Sequence, residues 1–361
     1  MTALVKNIIG VKPSLAAAEV SSTGPIVKFL KVDEESAGQR LDNFLFRKLK
    51  GVPKTHVYRI IRSGEVRINK GRAQAETRIE SGDVLRLPPL RISLRAEEKT
   101  AASAPARQFP VLLEDDALLA INKPAGVAVH GGSGVSFGVI EQLRTARPTA
   151  KFLELVHRLD RDTSGILLIA KKRSALTALQ EQFRERETGK TYVALVEGIW
   201  PTNKKVLDAP LAKYLLPGKD GVPETGERRV RVVAKDHPDA MHAVTLVRVL
   251  ARLILPSDTA PVSLLAVTIK TGRTHQIRVH LASAGHAIAG DDKYGASDRQ
   301  RALTKLGLKR MFLHAWRLQF THPASGERVS LQTDLPAELH ALMPPAALAA
   351  LSQHPTPTSD A

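Results

Sequence analysis

The sequence predicts an α+β protein in two parts: a small N-terminal α/β module, then a larger domain in which helices flank a mixed, mainly antiparallel sheet. Three observations carry this. At 361 residues the chain exceeds one ordinary domain. The stretch AEEKTAASAPARQ (96–108) is small, charged and Pro-containing, as linkers are. Beyond it, short strand-like runs outnumber amphipathic helices and adjoin turns, which disfavours a doubly wound fold.

Taken in order, residues 1–36 show no sustained period, and Ser21, Ser22, Thr23, Gly24 and Pro25 read as a flexible lead-in. Within 37–95, Leu41, Phe44, Leu45 and Leu49 recur at helical spacing, and Gly51-Val52-Pro53 interrupts them. Val57, Ile60 and Ile61 then form a second stripe ended by Gly64, so a helical hairpin is expected. VRINKGRA and VLRLPP alternate around Ser81-Gly82-Asp83 and close the module with short strands. The larger domain, 109–345, has strand-like runs at Val111–Leu113, Leu118–Ile121, Leu153–Val156, Ile166–Ala170 and Tyr192–Val196. Its clearest helix starts at an N-cap Ser174 and turns Leu176, Leu179 and Phe183 to one side. The tail, 346–361, is expected to be disordered, and no internal repeat is seen.

A formal charge of +17, from 53 Lys and Arg against 36 Asp and Glu, points to a polyanionic partner. No run of eighteen apolar residues exists and the N-terminus lacks a continuous apolar core, so a cytoplasmic protein without membrane contact is expected. Cysteine is absent, which removes disulfides, thiolate metal sites and Cys nucleophiles. Aromatics are 4% of the chain, too few for a broad base-stacking platform, though a single base pocket needs far fewer.

The densest reactive cluster runs from Val156 to Gly165, between two apolar runs, where loops held by strands present catalytic groups. Asp160 is its central carboxylate, and on residue chemistry alone it is equally an arginine partner or a turn residue. Other chemistries fit poorly. Leu159 breaks a kinase-type His-Arg-Asp, and Phe137 stands where a dinucleotide loop needs its third glycine. His275 and His280 lie on different helix faces, so no catalytic metal is expected.

The first module concentrates Arg40, Lys54, Arg59, Arg62, Lys70 and Arg72, candidates for RNA phosphates, with Lys54 where the second helix begins. A solvated charged face is the bland alternative. AGQRLDNFLFRKLKGVPKTHVYRIIRSGEVRINKGRAQAETRIESGDVLRLP resembles the S4 RNA-binding domain over roughly 37–88, through its RLD opening, SGEVRIN bend and GD before the last strand. That resemblance implies shape and phosphate recognition of structured RNA.

HRLDRDTSGILLIAKK (157–172) resembles the signature of the pseudouridine synthase family that modifies large-subunit ribosomal RNA. NKPAGVAVH (122–130), KTYVALVEG (190–198), TGRTHQIRVHLASAGHAIAGDDKYG (271–295) and FLHAWRLQFTHP (312–323) match further family segments in order. The resemblance implies a cofactor-free, metal-free isomerase acting on several uridines of 23S rRNA, naked or in an assembling large subunit, and working as a monomer. It implies Asp160 as the carboxylate attacking C1′ or removing the C2′ proton, Arg278 as its partner, and Tyr192 as the residue stacking on the base. Arg158 matches a residue that holds the flipped state, His157 is a candidate to orient the loop by hydrogen bonding, and Leu313 and Val129 are candidate apolar walls. Base extrusion costs a few kcal/mol that such contacts offset. The competing expectation is a non-catalytic S4-containing rRNA-binding or assembly factor; a phosphate-handling enzyme lacks its phosphate loop. ARLILPSDTAPVS (251–263) reads as a lengthened hairpin loop.

Overall fold

The computed structural model describes residues 27–49, 52–90, 104–132, 137–216, 228–254, 261–295 and 302–354. The chain divides into two compact units, Met1–Ala102 and Ser103–Ala361.

In the first unit, helices α1 (Leu41–Lys48) and α2 (Lys54–Arg62) pack on strands β1 (Lys28–Lys31), β2 (Arg67–Ile68), β3 (Gly71–Arg72) and β4 (Val84–Leu87), ordered β1-β4-β2-β3. Leu41, Phe44, Leu45, Val57, Ile60 and Ile61 form its core with Val66, Ile79 and Leu85, so both expected stripes face inward. VRINKGRA is a tight hairpin whose turn residues Asn69 and Lys70 have φ of 48° and 72°. β1 corrects the expectation of a flexible segment up to residue 36: it pairs antiparallel with β4, and Val32 is buried behind it. KFLK is an edge strand with no fully buried residue, so its sequence carries almost no period to detect. Residues 1–26, including the Ser21–Pro25 stretch, lie outside the described residues.

The second unit is organised by a ten-stranded sheet among the described residues. Its strands are β5 (Val111–Glu114), β6 (Leu118–Lys123), β7 (Glu154–Leu155), β8 (Ser164–Ala170), β9 (Gly189–Glu197), β10 (Val206–Asp208), β13 (Val244–Leu253), β14 (Val262–Ile269), β15 (Leu313–Thr321) and β16 (Arg328–Gln332). β11 (Leu211–Leu215) and β12 (Arg228–Val232) form a separate ribbon. The main order is β10-β13-β14-β9-β15-β8-β6-β5, antiparallel except where β15 runs parallel to β8. Its helices include α3 (Val139–Ala146), α4 (Arg173–Glu185), α5 (Gln276–Ser283), α6 (Ala337–His340) and α7 (Pro345–Gln353).

Both faces of the central strands are covered. In β9, Val193 and Leu195 pack with α6 and α7 through Leu339, Ala347 and Leu351. Ala194 and Val196 pack on the other face with Ile277 and Leu281 of α5. Double burial is why these strands read as apolar runs rather than alternations. Tyr192 shares its parity with Ala194, so it emerges on the α5 side.

α7 corrects the expectation of a disordered tail from 346: Ala347 and Leu351 enter the core beside Phe312 and Trp316, and Arg317 Nη2 donates to the His354 carbonyl at 2.8 Å. Four of its nine residues are alanine, which supports a helix but gives a faint apolar stripe; 355–361 lie outside the described residues. Of the expected linker, 96–103 also lies outside, while 104–108 is applied to the second unit, with Ala104 buried and Arg107 N–H bonded to Gln142 O. α4 begins after Lys172 rather than at a Ser174 cap. β13 and β14 extend into the expected 251–263 loop, whose residues 255–260 are outside the described set. No described helix is long and apolar enough to cross a membrane.

Candidate active site

The segment from His157 to Thr163 crosses from β7 to β8 and is fastened from below. Lys123, fully buried at the end of β6, donates from Nζ to the carbonyls of Pro124 (2.9 Å), Val127 (2.8 Å) and Arg161 (3.0 Å). Burial pushes its ammonium down to about 7, against the pull of Asp162 and Asp160. Three acceptors match the three N–H groups of the charged form. Arg310 donates to Asp162 O (3.2 Å) and Ser164 Oγ (2.8 Å), and Ser164 Oγ also meets His314 Nδ1 at 2.8 Å. Arg310 is in turn paired with Glu338 of α6 at 3.1 Å. Gly165 has φ +112°, and a Cβ there would lie 2.2 Å from Ala315 O, so the parallel β8–β15 junction requires glycine.

Asp160 leaves this loop with its carboxylate partly exposed, 3.4 Å from Arg278 Nη1. Arg278 is held elsewhere: its Nε and Nη2 each bond Asp291 at 2.7 Å in a two-point clamp. Asp291 is fully buried and also accepts from the N–H groups of Lys293 and Tyr294. Burial works against the Arg278 charge, but the Asp291 hydrogen bonds and the charges of Asp291 and Asp160 outweigh it and raise the pKa. Gly290, at φ +80°, lets this turn approach Arg310 O, where a Cβ would sit 2.2 Å away. His275 precedes α5 with a left-handed φ of 53°, its Nε2 3.8 Å from Asp160 Oδ2 and its Nδ1 2.9 Å from the Tyr294 hydroxyl. Burial, above all, lowers the His275 pKa.

Two clefts open on either side of Asp160, sharing Arg158, Leu159, His275 and Arg278 as walls. The narrower, about 110 Å³, has Tyr192, Leu313 and Ile269 as apolar walls. The wider, about 300 Å³, is basic, with Arg158, Arg161 and Lys293 around Val129 and His130. Burial first, and the Asp160 charge second, raise the Tyr192 phenol, so it stays protonated at neutral pH. One side thus suits a flat, mostly apolar ring, and the other a phosphate-bearing strand.

A family model described as RNA pseudouridylate synthase matches residues 117–283, and one for the S4 domain matches 39–85. The chain is 48% identical over 320 residues to a ribosomal large subunit pseudouridine synthase C from Pasteurella multocida (strain Pm70), covering 88% of this chain and 93% of that one. It is 49% identical to the protein of the same name from Escherichia coli (strain K12), covering 86% and 94%. The solved structure of human RNA pseudouridylate synthase domain containing 4 superposes with a TM-score of 0.51 at 28% identity, covering 68% of this chain and 95% of that one.

The chain belongs to the pseudouridine synthase family.

Of the residues expected at the synthase site, Asp160, Tyr192, Arg278, Arg158 and Leu313 line one cleft together. Val129 does not wall the ring-sized cleft but borders the basic one. His157 lines neither: its Nε2 accepts the Leu168 N–H at 3.1 Å and its ring stacks on Phe183 at 4.7 Å. It is therefore an anchor of the loop and not a substrate contact, while its exposed neighbour Arg158 lines both clefts. Sequence reasoning passed over Asp291, Tyr294 and Lys123 and weighed His275 only as a metal ligand, although all lie inside quoted motifs. The N-cap of α5 is His275. In the first unit, Arg40 is engaged by Asp42 (2.7 Å) and Glu76 (3.2 Å), so its charge is committed within the module. Lys54 lies 5.3 Å from the Phe46 ring and Arg59 contacts His56, while Arg62, Lys70 and Arg72 are exposed.

A half-buried histidine, His157, and a fully buried one, His314, make the second unit acid-sensitive. Burial pushes His157 down to about 3 and His314 to about 4, with Lys190 and Arg310 adding to each effect. Both folded values lie below the unfolded value of about 6.5. Their contribution is therefore complete above about pH 6.5 and drains away as the pH falls through the folded values. The melting temperature should drop steadily from pH 6.5 to pH 4 with proton uptake on unfolding; a flat profile by calorimetry over that range would contradict the assignment.

Proposed function

We propose that this synthase isomerises uridines of 23S rRNA, with Asp160 acting on the ribose of an everted nucleotide. The supporting observation is the convergence of Asp160, Tyr192 and Arg278 on one cleft bordered by basic residues. In the nucleophilic route the carboxylate bonds C1′ as the C1′–N1 bond breaks and uracil leaves with the electron pair. The base turns within the cleft, C5 bonds C1′ and expels the carboxylate, and the C5 proton is lost as N1 gains one. In the elimination route Asp160 instead takes the C2′ proton as the C1′–N1 bond breaks and a glycal forms; C5 then bonds C1′ as C2′ regains the proton, and C5 loses its own proton as N1 gains one. Leu313 and Ile269 confine the detached ring on either route, and Arg158 fills space near the vacated stack. Tyr192, being protonated, stacks and donates a hydrogen bond rather than serving as a standing base. Arg278 fixes where Asp160 points. Comparing pseudouridine maps of 23S rRNA from cells with and without the chain tests this: sites that vanish with it support the isomerase, and an unchanged map favours a non-catalytic assembly factor.

The first unit supplies RNA affinity through Lys54, Arg59, Arg62, Lys70 and Arg72, in a cytoplasmic protein that works as a monomer on rRNA or an assembling large subunit. Lys70→Asn removes one charge while keeping a residue tolerant of the left-handed turn. The slope of log K against log salt should shrink by about 1. An unaltered slope would remove Lys70 from the interface.

A further inference from the structure

We propose that the N-terminal unit, beyond gripping phosphates, captures one unpaired purine base of the RNA, with guanine favoured; this rests on the RNA-gripping role given to that unit above. A cavity of about 550 Å³ opens between α2 and the loop from Arg72 to Glu76. Tyr58, Ile61 and Arg62 share one face of α2, and the opposing loop is fixed by Asp42 N–H to Ala75 O and Leu41 N–H to Thr77 O. The floor is apolar: Ile61 is buried, and Ala73 and Ala75 pack against the core.

Tyr58 is 38% exposed in a chain with few aromatics, and Phe46 braces it edge-on at 5.5 Å. An aromatic wall over an apolar floor suits a flat ring, and single unpaired bases are what proteins read in RNA. The rim decides which base. Arg62 and Arg72 donate only, Gln74 does both, and Glu76 accepts only. Glu76 pairs through Oε1 with Arg40 at 3.2 Å, and its side chain, 65% exposed, leaves Oε2 to accept a hydrogen bond at the rim. Guanine answers this rim, with N–H donors on its Watson–Crick edge for a carboxylate and O6 and N7 acceptors for an arginine. Adenine carries no O6 and presents a single amino donor.

The test uses the full chain and two RNA hairpins identical except for a guanine or an adenine in the loop, with affinity read by filter binding. Glu76→Gln should weaken the guanine hairpin about tenfold and leave the adenine hairpin within twofold. Tyr58→Leu should weaken both by at least fivefold at an unchanged salt slope, while Tyr58→Phe retains affinity. Equal melting temperatures across the variants exclude misfolding. Should Glu76→Gln tighten both hairpins alike, the residue is merely a negative charge beside phosphates and the base pocket is overturned. Failure of the unmodified chain to bind either hairpin would instead overturn the RNA-gripping role itself.

Discussion

Asp160→Asn is expected to lower kcat by at least about 1,000-fold while RNA affinity stays within about twofold. The amide keeps the outline of the carboxylate, and its oxygen can still accept from Arg278 Nη1. What it loses is the electron pair that bonds C1′, or the base that takes the C2′ proton, so both routes stop. Fold stability should be nearly unchanged. Asp160 is partly exposed, and Arg278 keeps its two-point contact with Asp291. Single-turnover conversion of an rRNA fragment, with binding measured in parallel, separates these effects. Turnover within tenfold of the unmodified chain would sink the catalytic assignment and leave the RNA-binding factor as the better reading.

The second large effect falls on a residue that touches no substrate. Asp291→Asn should cost about 3–5 kcal/mol of stability, because it strands the buried Arg278 charge. The amide also turns a donor toward a donor wherever its nitrogen faces the guanidinium. With the clamp gone, Arg278 rotates and Asp160 loses its fixed direction, so kcat should fall by roughly 100-fold, the loss a misplacement of about 1 Å causes, with KM little altered. Denaturant unfolding and steady-state kinetics check both. The positioning role fails if stability falls by less than 1 kcal/mol and kcat holds.

The contrast between these two aspartates shows what the sequence made legible. Asp160 sits in a contiguous run whose neighbours resemble a known signature, so its place could be read directly. Asp291 and Asp292 are adjacent and chemically identical, yet one is fully buried and the other is 73% exposed. Only the turn after α5, drawn against Arg310 by Gly290, distinguishes them, and that turn depends on tertiary contact. His157 and Arg158 show a related limit: adjacency in a motif does not say that Arg158 lines the cleft while His157 turns to Leu168 and Phe183. The mixed sheet and both helices of the first unit were legible because their apolar patterns are long. β1 has four residues and α7 is alanine-rich, so neither has a period strong enough to stand out before its packing partners are known.

Arg278 spends two of its nitrogens on Asp291 and leaves one for Asp160. In the nucleophilic route the working carboxylate becomes a neutral ester midway and an anion again at the end. A guanidinium neutralised by Asp160 alone would become an orphan cation at that midpoint and pull surrounding dipoles or water into new positions. Here a permanent second carboxylate keeps it compensated throughout. The nucleophile can therefore gain and shed its charge with little reorganisation energy, inside scaffolding whose own ionic balance never changes.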